Sequence, residues 1–248
     1  MADFSMKIAG ITGAVTPLFD STVHYCKGYL TQEPADFAIR VTREALLFEQ
    51  AELDREAEEE GFRRRIFTDP FLERAAIQRG FAEALFDRNV AMLHGSAVAV
   101  DGRGYLFAAR SGTGKSTHTR FWREEFGPRA VMVNDDKPFV AVTEAGVFLC
   151  GSPWSGKHGL DANVTVPLAG ICLLERGKED RIAPLDSEDL LEMLLRQGYC
   201  PLDGQKREVY RALVERITAS VPLWRMACTP QPNAARVAYA AMSAAEST

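Results

Sequence analysis

The apolar positions follow one rhythm before about residue 68 and another after it. Between residues 6 and 30, Ile8, Ile11, Val15, Leu18, Phe19, Val23, Tyr25 and Tyr29 alternate with Gly and Asp breaks, which predicts extended structure. Residues 37–48 (FAIRVTREALLF) fit a strand or the start of a helix. Residues 51–65 (AELDREAEEEGFRRR) are almost all charge and predict a solvated helix or loop. Asp69–Pro70 then opens a helix, with Pro in the first turn. On it Phe71, Leu72, Ala75, Ala76, Phe81, Ala84 and Leu85 recur at helical spacing up to Arg88–Asn89. The expected division is a small β-rich N-terminal subdomain over 1–68 and a larger core over 69–248.

The core begins with two apolar strands, MLHGSAVAV (92–100) and YLFAA (105–109), separated by DGRG, which predicts a hairpin with a four-residue turn. That turn would set His94 opposite Ser111. THTRFWREEF predicts a helix stopped by Gly127–Pro128, with His118 and Arg120 facing solvent. RAVMVND is a strand ending on two acids. FVAVT, EAG and VFLCG form a second hairpin; pairing Thr143 with Val147 brings Asp136 across from Trp154. LAGICLLER is a further strand. From residue 187 the chain turns helical, with a strand at VPLWRMAC and a helix from Asn233. Two hairpins flanking a strand–loop–helix unit predict an α/β fold with a mixed, partly antiparallel sheet and a helical C-terminal part.

Composition narrows the class without naming it. Of 248 residues, 46% are hydrophobic and 25% charged, as in an ordinary globular chain able to bury a core. Lys and Arg number 29 against 34 Asp and Glu, a net charge of −5, so no bulk positive field suits a nucleic acid partner. Cys26, Cys150, Cys172, Cys200 and Cys228 are odd in number and lack a CxxC spacing, which predicts reduced thiols in the cytoplasm. The start lacks a basic region followed by a long apolar run, and no uncharged run of membrane-spanning length occurs, so no membrane partner is expected.

The chemistry concentrates in three segments. Ala109–Arg110–Ser111–Gly112–Thr113–Gly114–Lys115–Ser116 is a phosphate-loop pattern with Ala at its first position, followed by Thr117. Its glycines let backbone N–H groups turn inward onto phosphate, and the helix behind adds its positive end. Lys115 reaches terminal phosphate oxygens and Ser116 offers a hydroxyl to Mg²⁺. Asp135 and Asp136 end the strand after the loop helix; adjacent strand residues face opposite ways, so the two acids serve different jobs, one for the metal and one for a proton. His94 is a candidate to orient an Asp or to contact metal or phosphate. In the loop from Gly151 to His158, Trp154, Ser155 and Lys157 are candidate substrate contacts, as is Arg176 after the LLE strand.

Residues 93–117, LHGSAVAVDGRGYLFAARSGTGKST, together with the later Asp135–Asp136 pair, resemble the HPr kinase/phosphorylase and phosphoenolpyruvate carboxykinase superfamily. The resemblance spans residues 93–160. It implies a carboxykinase-like fold and a nucleotide-dependent phosphoryl transferase using ATP or GTP with Mg²⁺. It matches Lys115 to the phosphates, Ser116 to the metal, Asp135 to the catalytic carboxylate, Asp136 to its metal-linked partner, and His94 to the family histidine near that pair. The chain is far shorter than a carboxykinase, and GSPWSGKHGL stands where the HPr kinase has a Glu and an Arg–Gly–x–Gly segment. The expectation is therefore a compact related kinase acting on a hydroxyl, of a protein serine or a small molecule. A nucleotide-binding switch and a carboxykinase-like metabolite enzyme are the alternatives.

Overall fold

The computed structural model describes residues 3–59, 61–199, 201 and 203–244. Cys200 lies outside the described residues. The chain divides into two compact units, Met1–Leu85 and Phe86–Thr248.

In the first unit, β1 (Phe4–Ile8) and β2 (Ile11–Thr16) form an antiparallel hairpin, and β3 (Phe37–Arg40) joins β2 in parallel. A short helix α1 (Asp20–Tyr25) and two longer ones, α2 (Arg43–Glu59) and α3 (Asp69–Phe86), complete it. The charged stretch 51–65 is helical as far as Glu59, where Arg55 bridges Glu52 and Glu59 on the outer face. Helix α3 packs directly on the small sheet. The Phe81 and Phe37 rings meet edge-on at 4.9 Å, and a Cβ on Gly80 would stand 2.7 Å from Ile39. That packing assigns α3 to the N-terminal unit, so the boundary falls after Leu85 and not at residue 68.

The second unit contains β4 (Val90–Met92), β5 (Ser96–Val100), β6 (Arg103–Ala108), α4 (Lys115–Phe126), β7 (Ala130–Asn134), β8 (Phe139–Thr143), β9 (Gly146–Cys150), β10 (Thr165–Arg176), β11 (Arg181–Pro184), α5 (Ser187–Gln197), α6 (Gly204–Ser220), β12 (Leu223–Cys228) and α7 (Asn233–Ala244). Its sheet runs β4-β8-β9-β10-β6-β5-β7, with β12 beside β10 and β11 beside β12. Strand β10 is parallel to β6 and to β12, while the remaining pairs are antiparallel. The expected mixed α/β sheet is therefore present.

Two local differences from the sequence expectation place the site. First, the apolar run 92–100 is two strands: β4 pairs with β8, and β5 pairs with β6 and β7. The break at Leu93–Gly95 is stitched by Leu93 N donating to the Pro138 carbonyl and Gly95 N to the Asp136 carbonyl, both at 3.0 Å. Second, the β5–β6 turn has two residues, Asp101 and Gly102, at φ 52° and 78°, the left-handed pair of a tight hairpin turn. Val100 thus faces Arg103 and Ser96 faces Phe107, two positions off the four-residue expectation. The β8–β9 turn is likewise one residue tighter, with Thr143 facing Gly146. Strand β11 was not legible as a strand.

The main core of this unit lies where β5, β6 and β10 meet α4 and α7. Trp122, fully buried, sets its ring 4.8 Å from Tyr105 and 5.7 Å from Tyr239. Burying one indole this way stabilises by about 3 kcal/mol. Its structural consequence is that α4 is anchored on β6 and α7 behind the loop that precedes it. No helix among the described residues is long and apolar enough to cross a membrane.

Candidate nucleotide site

Strand β6 ends at Ala108, and the chain curls through Arg110–Gly114 before α4 begins at Lys115. Gly112 and Gly114 carry φ of 74° and 117°, a backbone that a side chain would strain, and nothing stands within 4 Å of where either Cβ would be. The loop is held from within: Thr113 N donates to the Arg110 carbonyl at 3.2 Å, and Lys115 Nζ to the Ala109 carbonyl at 3.0 Å. No side chain caps α4. An uncapped start of this kind leaves first-turn amides without intrahelical acceptors. Burial pulls the Lys115 ammonium below its ordinary value, while Asp136 and Asp135 pull it back up. The Lys137 charge adds to the lowering. Ser111 and Thr117 are exposed, and Thr113 and Ser116 half-buried, along the same curl.

The acids follow β7. Asn134, fully buried, organises everything around them. Its Oδ1 accepts from Asp136 N at 2.7 Å and Lys137 N at 2.6 Å, bending the chain at the acids. Its Nδ2 donates to the Ser152 carbonyl at 2.8 Å, Ser152 Oγ at 3.0 Å and the Trp154 carbonyl at 3.3 Å. Ser152 Oγ in turn donates to the Lys137 carbonyl at 2.6 Å. One amide thus sets the two acids and ties the 151–157 loop beside them. Gly156 packs on Asp136, since a Cβ there would lie 3.2 Å from the Asp136 Cβ.

His94 is not opposite Ser111; the strand break carries it to Asp136. Its Nδ1 lies 3.1 Å from Asp136 Oδ1 and 3.1 Å from Lys137 Nζ. One nitrogen cannot serve both. Protonated, Nδ1 donates to the carboxylate; bare, it accepts from the lysine. Burial first, then the Lys137 and Lys115 charges, pulls the His94 pKa down against Asp136. Burial alone would raise Asp136, but the His94 hydrogen bond and the Lys137, His94 and Lys115 charges more than offset it, so its carboxyl sits below the ordinary value.

The substrate candidates separate. Trp154 is buried, with its ring 6.3 Å from Phe139, so its indole packs inward and does not present a stacking face. Ser155 is buried and donates to Asp161 Oδ2 at 2.6 Å, a loop-fastening bond. Lys157 is exposed and follows Gly156. Arg176 reaches the Arg110–Gly114 curl, donating from Nη2 to the Gly112 carbonyl at 2.7 Å. His118 does not face solvent. It is buried against Phe107, accepts from Trp122 Nε1 at 3.0 Å through Nε2, and has its pKa pushed down to about 4 by burial. Sequence reasoning passed over Asn134 and Lys137, although they bracket the acids as Asn134–Asp135–Asp136–Lys137.

Among the described residues, no three or more His, Cys, Asp or Glu side chains converge to hold a metal ion by themselves. Mg²⁺ needs no such cage, because a carboxylate, a hydroxyl, water and phosphate oxygens fill its shell. Ser116 in the first turn carries a hydroxyl and Asp136 at the strand end a carboxylate, groups of that kind.

No protein-family profile matches the sequence, and no curated protein matches it. The solved structure of the Hpr(Ser) kinase/phosphatase from Coxiella burnetii is similar over 62% of this chain and 98% of its own, at 11% identity and a TM-score of 0.37. A likeness of that degree assigns no activity to this chain.

Proposed function

We propose that the chain is a kinase that moves the terminal phosphoryl group of ATP or GTP onto a hydroxyl, of a protein serine or a small molecule. The observation that carries this is the hydrogen-bonded link, inside one unit, from Asp135 through Ser96 Oγ at 2.6 Å to Thr119 Oγ1 at 2.7 Å, which ties a carboxylate to the helix that opens at the Arg110–Lys115 curl. The loop amides and Lys115 hold the β- and γ-phosphates, and Arg176, already on the loop at Gly112, lies at its outer edge. Ser116 and Asp136 would hold Mg²⁺, which when bound neutralises phosphate charge. In the transfer, the acceptor oxygen bonds to the γ-phosphorus and the bond to the β,γ-bridging oxygen breaks, its electron pair leaving on the nucleoside diphosphate. The acceptor proton passes to Asp135. His94 and Lys137 keep Asp136 ionised and placed. Lys157, exposed and next in the chain to Gly156, which packs on Asp136, is the candidate contact for an anionic acceptor.

The test uses purified protein, γ-labelled ATP and cell extract. Label is expected in a protein band or a small molecule, and to be lost with Lys115→Met. Asp135→Asn is expected to lower transfer by roughly 10²–10⁴-fold. Near-normal transfer by Asp135→Asn and Asp136→Asn would overturn the assignment, and nucleotide binding without any transfer would favour a switch protein.

A further inference from the structure

Asp135 is held in a way that its neighbour Asp136 is not. Ser96, the first residue of β5 and fully buried, donates from Oγ to Asp135 Oδ1 at 2.6 Å. Ser96 Oγ also lies 2.7 Å from Thr119 Oγ1, on the buried face of α4 one turn beyond Lys115. The directions of these bonds follow from counting hydrogens. A carboxylate oxygen only accepts, so the single Ser96 hydroxyl hydrogen is committed to Oδ1. Ser96 Oγ must then accept from Thr119. The Thr119 hydrogen is thereby drawn away from its own helix carbonyls at Lys115 and Ser116, which are longer contacts at 3.3 and 3.4 Å. The result is one directed chain from α4 through Ser96 to Asp135.

The backbone is shaped to make this chain. The β5–β7 ladder slips between Ala97 and Val98, so that Ala97 faces Asn134 while Val98 faces Met132. An irregularity of that kind re-aims the side chains at a strand end. It brings the residue after Asn134 onto the first residue of β5. The terminal torsion of a free Asp is broad and nearly two-fold, so an unheld carboxylate would present either oxygen over a wide arc.

We propose that Ser96 and Thr119 are positioning residues that lock Asp135 Oδ1 and leave Oδ2 as the oxygen presented to the acceptor. They fix the carboxylate in the frame of the helix that starts at the phosphate loop, so base and phosphate stay in register. This rests on the reading above in which Asp135 takes the acceptor proton. Misplacing a reacting group by about 1 Å costs on the order of 10²-fold in rate.

The experiment uses the full chain and MgATP with water as the acceptor, comparing wild type with Ser96→Ala, Thr119→Val, Thr119→Ser and Asp135→Asn. Thr119→Val keeps the shape and removes the hydroxyl, and Thr119→Ser keeps the hydroxyl. Thr119→Val and Ser96→Ala are expected to lower kcat by about tenfold to a hundredfold, with KM for MgATP unchanged within about twofold, and Thr119→Ser to restore kcat. Proton NMR of the nucleotide-free protein is expected to show a slowly exchanging Ser96 hydroxyl that is lost in Asp135→Asn. Should Ser96→Ala fail to fold, the Thr119→Val and Thr119→Ser pair carries the test. Wild-type kcat in Thr119→Val alongside a large loss in Asp135→Asn would overturn the positioning role and leave the base reading standing. Turnover that does not depend on Asp135 would overturn the base reading, and the positioning role with it.

Discussion

His118 sits one turn into α4, the helix that follows the Arg110–Gly114 curl, yet its role is to pack. Its bare Nε2 accepts the Trp122 indole hydrogen, and burial pushes its pKa down from the ordinary 6.5 to about 4. Because the folded state binds this proton less readily than the unfolded chain, the stabilising effect is fully present above about pH 6.5 and is lost as pH falls toward 4. At pH 4.5 the loss from this group amounts to about 2 kcal/mol. Urea unfolding of wild type and His118→Gln at pH 7 and pH 4.5 checks it: the variant is expected to lose less stability across that interval, and parallel losses would contradict the argument. The residue scale also shows why some of the site escaped sequence reasoning. Asn134 and Lys137 are ordinary turn residues by type, and only the hydrogen bonds of one buried amide reveal that Asn134 sets the acids. Trp154 reads as a stacking group when its loop is taken as exposed. The Asn134 bonds to the Ser152 and Trp154 carbonyls draw that loop inward, where the ring is buried.

At the scale of elements, strand–loop–helix was legible because glycine spacing, a Lys–Ser pair and an apolar strand all point to the same backbone. The two-residue turn was written in the sequence as Asp101–Gly102, a strong tight-hairpin signal, but Arg103–Gly104 extended it on paper to four. The break between β4 and β5 was not legible, since Met92–Val100 is a nearly continuous apolar run. What breaks it is tertiary: Gly95 lies where a Cβ would stand 2.9 Å from the Phe107 carbonyl oxygen, and its N–H goes to Asp136 instead of a strand partner. The most demanding close approach is at Gly151, where the end of β9 meets the segment returning toward β10. A Cβ there would stand 1.8 Å from the Ala162 carbonyl oxygen and 3.0 Å from the Val133 carbonyl oxygen, both backbone. Neither can swing aside as a side chain would, so Gly151→Ala must shift the 161–164 segment or the end of β7 that carries the acids. It is expected to cost about 3 kcal/mol or more of unfolding free energy. A urea midpoint close to that of wild type would contradict this.

On the scale of the whole molecule, the net charge of −5 means that phosphate is not drawn in by a general positive surface. The positive groups are local instead: Lys115 inside the curl, Arg176 on Gly112, and Lys137 beside His94. All belong to the Phe86–Thr248 unit, as do both acids. The sequence placed that unit's edge poorly, because α3 carries a helical pattern that says nothing about which sheet it covers. A nucleotide that binds the folded loop and not the unfolded chain stabilises the unit by mass action. At a free concentration about 100 times its Kd the gain is about 2.7 kcal/mol. Since β5, β6, α4 and β7 frame the loop and the acids, their amides are expected to show that gain as slower hydrogen exchange in the presence of MgATP. Lys115→Met is expected to abolish it while leaving the nucleotide-free exchange pattern in place. Unchanged exchange in those four elements at saturating MgATP would mean that the loop, open as it is, does not hold nucleotide in the folded chain.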